Sequence, residues 1–69
     1  MIQLAVVMKD QEWTLFENAE PVRTYLTRSA AIEAAEARAF ELEEANQGVE
    51  LVIQDYHGGL SEKRSWPAT

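Results

Sequence analysis

The chain has 69 residues, twelve of them acidic and six basic, for a net charge of −6, with no cysteine and a single histidine. Disulfides and thiolate metal sites are therefore excluded, and a histidine-based metal cluster lacks ligands. A chain this short buries only about 60% of its unfolded surface, so one domain over 1–69 with no internal linker is expected, and association with another subunit is the remaining common support.

The acidity disfavours nucleic acid and anionic membrane surfaces as partners and favours a protein with a basic surface. The start, "MIQLAVVMKD", has no basic n-region and its apolar run ends at Lys9, so it does not read as a signal peptide. No stretch approaches the roughly eighteen apolar residues of a membrane span, and a cytoplasmic location is expected.

In chain order, "IQLAVVM" (2–8) is rich in β-branched residues and predicts a strand. "KDQE" (9–12) is a polar hairpin connection without an Asn-Gly or Asp-Gly signature, and "WTLFE" (13–17) is a second strand. "NAEP" (18–21) breaks that strand, and "VRTYL" (22–26) forms a third. Thr27 suits a helix N-cap, and the helix is expected from Arg28 to Asn46, closed by Gly48 in the left-handed conformation. "VELVIQDY" (49–56), the turn "HGG" (57–59) and "LSEKRSW" (60–66) complete the order β-β-β-α-β-β. The expected class is α+β: an antiparallel sheet of four to five strands with one long helix on one face.

At 3.6 residues per turn, Ala31, Ile32, Ala35, Ala39 and Leu42 share one helical stripe. The residues are mostly small, which lets the helix lie close to the sheet. Glu33, Glu36, Ala37, Phe40 and Glu44 fall on the other side, with Phe40 about 130° from the centre of the stripe. Two readings of Phe40 compete. Its ring either folds onto the rim of the sheet or stands as an aromatic anchor ringed by acids, as at interface cores with charged rims.

The strands repeat the problem. Ile2, Leu4, Val6 and Met8 oppose Ala5 and Val7; Val49, Leu51 and Ile53 oppose Val52 and Tyr56; Trp13 and Leu15 oppose Phe16. Both sheet faces carry apolar residues while one helix is available, so a second chain is expected on the other face, most simply as a homodimer.

Catalytic chemistry finds little support. The helical glutamates lack a cleft, Asp55 and His57 lack further ligands and read as turn residues, and no serine or threonine has a base paired to it by motif. No enzyme activity, cofactor or metal is expected. In "EKRSW", Lys63 and Arg64 beside Trp66 suit phosphate contact with base stacking, but two adjacent cations in an acidic chain better suit a charged, aggregation-resistant edge strand.

"TRSAAIEAAEARA" followed by "VELVIQDYHGGLSEKRSW" resembles domain-of-unknown-function family 2188, a set of small bacterial and phage-associated proteins. The resemblance is carried by Trp13, Thr27, Ile32 with Glu33, Leu51 with Val52, Gly59 and Lys63 with Arg64, over residues 12–66; the acidic helix end "ELEEANQ" departs from it. It implies the fold and supplies no catalytic residues. The expected function is a small acidic protein-binding module, an inhibitor or a phage or mobile-element accessory, that docks Glu33, Glu36, Phe40, Glu43 and Glu44 on a basic, nucleic-acid-binding surface of a partner. The alternative is a nucleic-acid-binding domain using Lys63, Arg64 and Trp66.

Overall fold

A computed structural model describes residues 1–67. It contains β1 (Ile2–Lys9), β2 (Glu12–Glu17), β3 (Glu20–Tyr25), α1 (Arg28–Glu44), β4 (Val49–Gln54) and β5 (Leu60–Trp66). The strands form one five-stranded sheet in the order β3-β2-β1-β4-β5, with α1 against one side. The α+β class and element order are as expected, but the sheet is mixed. β1 pairs with β4 in parallel, Leu4 beside Leu51 and Val6 beside Ile53, and the other three pairings are antiparallel. The reason is topological. The β1–β2–β3 meander leaves one edge of β1 open, and α1 carries the chain back along the sheet, so β4 enters beside β1 running the same way.

The two hairpins are tighter than expected. Asp10 and Gln11 have φ of 51° and 67°, and Asn18 and Ala19 have 51° and 70°. Paired left-handed residues give the connection whose twist matches two right-twisted strands, and Asp and Asn tolerate it best. Asn18 also extends the β1 ladder: its Oδ1 accepts from the Gln3 amide at 3.0 Å, and its own amide donates to the Gln3 carbonyl at 2.7 Å. β3 consequently starts at Glu20 and contains Pro21, admissible because β3 is an edge strand.

Thr27 caps α1 as expected, its hydroxyl accepting from the Ala30 amide at 3.1 Å. The far end differs. Ala45 is the C-cap and Asn46, at φ 62°, is the left-handed residue, not Gly48. The Asn46 amide donates to the Glu43 carbonyl and the Gln47 amide to the Leu42 carbonyl, both at 2.9 Å, which is the Schellman arrangement.

Ala31, Ala35, Ala39 and Leu42 are buried against Leu4, Val6, Trp13, Leu15, Val49, Leu51 and Ile53, and Ile32 packs at the margin of this core. The alanines have no exposed surface, so backbone-level approach to the sheet is what the helix requires at those positions. Tyr56 does not share a face with Val52. It lies beyond β4, and its ring meets Trp13 edge-on at 5.5 Å on the helix side.

Candidate functional site

The outer surface of α1 carries the aromatic residue in question. Phe40 is 56% exposed, so its ring does not fold onto the sheet rim. Helical spacing puts Glu36 and Glu44 one turn to either side of it, with Glu33 and Glu43 on the same flank. The five residues singled out from sequence therefore share one surface, but not one electrostatic state.

Glu36 is bound to the guanidinium of Arg64, which also holds Glu62. Glu33, Glu43 and Glu44 make no ion pair among the described residues. The last turn of α1 contains no basic residue, so Glu43 and Glu44 sit unopposed at the negative end of the helix dipole.

The cations are largely engaged elsewhere. Arg38 donates from Nε to one oxygen of Glu17 at 2.8 Å and from Nη2 to the other at 3.2 Å. This pairing holds the Glu17 carboxyl below the usual range and raises Arg38. Arg64 lowers the Glu62 carboxyl in the same way, through its hydrogen bond first. Arg28 donates from Nε to the Gln54 carbonyl at 3.0 Å and from Nη2 to Ser61 at 3.3 Å, and its guanidinium lies over the Tyr56 and Trp13 rings at 5.6 and 6.0 Å. That clamp between the helix start and the end of β4 had no signal in the sequence, because its members are distant along the chain.

Lys63, Arg64 and Trp66 do not form one surface. Lys63 pairs with Val52 in the register and its ammonium contacts Glu50 at 3.2 Å, on the side of the sheet away from α1. Arg64 and Trp66 point to the helix side, where Trp66 packs on the core and Arg64 is neutralised by two carboxylates. Adjacent strand residues necessarily face opposite ways, so the "KR" pair is divided by the pleat.

Asp55 organises the β4–β5 turn. Its Oδ1 accepts from the His57 amide at 2.8 Å and the Gly59 amide at 2.9 Å, which lowers its pKa. Gly58 takes φ 90°, and His57 is exposed. The carboxylate is thus occupied as a turn residue, and among the described residues no group of three or more His, Asp or Glu is arranged to hold a metal.

The second apolar feature is the side of the sheet away from α1. Gln3, Ala5, Val7, Phe16, Ala19 and Val52 line a shallow hollow of about 430 Å³. A smaller one of about 180 Å³ adjoins it through Val7 and Val52 and is bounded by Gln54, Gly58, Gly59 and Leu60. No described element covers either hollow.

A family model described as "Uncharacterized protein conserved in bacteria (DUF2188)" matches residues 5–66. No curated protein and no solved structure matches the chain. The match takes in nearly every described strand and the whole of α1, and the chain belongs to the DUF2188 family.

Proposed function

We propose that this DUF2188 protein is a non-catalytic protein-binding module that docks the outer surface of α1 on a basic surface of a partner, of the kind that otherwise takes nucleic acid. The observation that carries this reading is Phe40, 56% exposed beside three glutamates with no internal counterion. Glu43 and Glu44 also work against the helix that bears them. Acids at a helix C-terminus cost about 0.3–1 kcal/mol each. A local conflict of this kind, with no compensating contact in the monomer, fits a surface selected for a partner. An aromatic ring supplies the buried anchor, and the acids speed encounter and set orientation.

A protein that masks a nucleic-acid-binding surface acts as an inhibitor, and a cytoplasmic accessory role fits its size and charge. Glu36 contributes less than Glu33, Glu43 and Glu44, because Arg64 already neutralises it.

The test is affinity capture from an extract of the parent bacterium, with the captured protein identified and its competition with DNA or RNA measured. Phe40→Ala and the double variant Glu33→Lys/Glu44→Lys are expected to keep the wild-type circular dichroism and lose the captured protein. Added salt is expected to weaken capture, since surface charges are screened within about 8 Å at physiological ionic strength. Folded variants that capture as well as wild type would remove the helix from the interface.

A further inference from the structure

We infer that the side of the sheet away from α1 is the contact surface between two copies of this chain, stacked face to face about a two-fold axis. This assigns a face and a geometry to self-association, and it does not depend on the helix-docking reading above.

The argument begins with shape and apolarity. Ala5 and Val7 of β1, Phe16 of β2, Val52 of β4 and Leu60 of β5 line the two adjoining hollows, and Leu60 is 64% exposed. Around them on the face lie the uncharged polar residues Gln3, Thr24, Gln54 and Ser65, together with two pairs of opposite charge. Five strands at about 4.8 Å spacing and six residues at about 3.3 Å give a face of roughly 500 Å². Two such faces bury about 1,000 Å² together, which reaches the lower bound of a specific interface.

Charge then selects the occupant. The ionised groups on this face are Lys9 and Glu12, which are register partners at one end, and Glu50 and Lys63, 3.2 Å apart towards the other. The Lys9 ammonium lies 5.8 Å from the centre of the Phe16 ring, which fixes it on this side. Two acids and two bases cancel. The remaining ten acids and four bases, elsewhere on the molecule, carry the entire net charge of −6. Two copies of an acidic chain repel wherever acidic surfaces meet, and this face lets them approach without bringing net charge together. It offers a basic partner no comparable attraction.

β1 is the middle strand, so the Lys9–Glu12 pair lies at one end of the centre of the face and the Glu50–Lys63 pair lies toward the β5 edge. A two-fold axis in the plane of contact brings the same neutral, partly apolar face of each copy together, as isologous association requires.

The experiment is sedimentation equilibrium on the purified chain up to about 1 mM, where even an interface at the small end of the range is populated. Wild type is expected to dimerise, more tightly as salt screens the repulsion between the acidic outer surfaces. Val52→Asp places an unpaired carboxylate in the centre of the contact and is expected to raise the dimer Kd at least about 100-fold. Lys63→Glu, at an exposed position tolerant of substitution, leaves the face with a net negative charge and is expected to raise it several-fold, so the test survives if Val52→Asp fails to fold. Phe40→Ala is expected to dimerise as wild type. A wild-type monomer throughout this range overturns the inference. So does a dimer indifferent to both folded face variants, because association would then use another surface, such as an edge strand. Neither readout involves a foreign partner, so failure here leaves the helix-docking reading standing, and the converse also holds.

Discussion

Leu51 and Val52 are neighbours in β4, yet they belong to two different proteins in energetic terms. Leu51 points at α1 and has no exposed surface, closed in by a layer of alanines. Val52 points away, into a hollow that the chain itself does not fill. The rims differ in a parallel way. On the helix side, ion pairs tie the sheet to α1, from Arg38 to Glu17 and from Arg64 to Glu36. On the far side the Glu50–Lys63 pair lies within the sheet, and among the described residues no helix packs over it. One side is finished by the chain's own helix, and the other is shallowly hollowed, neutral and partly apolar. That contrast separates the roles proposed here: the acidic helix exterior for a foreign basic surface, and the neutral sheet exterior for a second copy.

The sharpest way to break the contrast is to truncate adjacent residues. Leu51→Ala is expected to cost about 2–5 kcal/mol in denaturant unfolding, the range for a buried leucine. Val52→Ala, measured at concentrations well below the proposed dimer Kd, should cost under about 1 kcal/mol because it opens no closed cavity. Equal costs would mean that the far face is packed in the monomer.

Enlargement probes the same difference from the helix. Ala35→Leu pushes three additional heavy atoms into a site with no exposed surface and is expected to cost about 1–3 kcal/mol. Ala37→Leu, on the exposed outer surface near Phe40, should shift stability by no more than about 0.5 kcal/mol.

The smallest effect concerns the rim. The Glu17 carboxyl is lower in the folded chain than in the unfolded one, mainly because Arg38 hydrogen-bonds it. Its contribution is therefore present above the ordinary glutamate pKa of about 4.3 and is lost as pH falls through the depressed folded value. Both side chains are partly solvated, so the pair is worth at most about 1 kcal/mol. Glu17→Gln should flatten part of the acid limb of a pH–stability curve, and a curve of unchanged slope would show the pair to be neutral. Asp55 and Glu62 act in the same direction, so some acid sensitivity is expected to remain.

Much of this was legible in the sequence because it rests on local chemistry or on periodicity. Thr27 announces its cap because its hydroxyl reaches an amide three residues away. Ala31, Ala35, Ala39 and Leu42 announce a buried stripe because helical geometry aligns them wherever the helix goes. The apolar character of both sheet faces follows from two-residue alternation alone. The left-handed pair Asn18–Ala19 was missed because an alanine gives no sign of positive φ; the tight β2–β3 connection imposes it. Asn46 was missed as the helix terminator because Gly48 gave the stronger signal, although the asparagine came first.

The sequence by itself determined the elements, their faces, the excess of acid and the absence of cysteine chemistry, since each depends on residue identity and short-range spacing. Only the tertiary structure decided that β4 lies parallel to β1, that Arg64 pairs with Glu36 and Glu62, and that the charges of the uncovered face cancel. Those outcomes depend on which distant segments become neighbours. Charge cancellation and strand direction are properties of such neighbours, set when α1 carries the chain back across the sheet, and no window of sequence contains them.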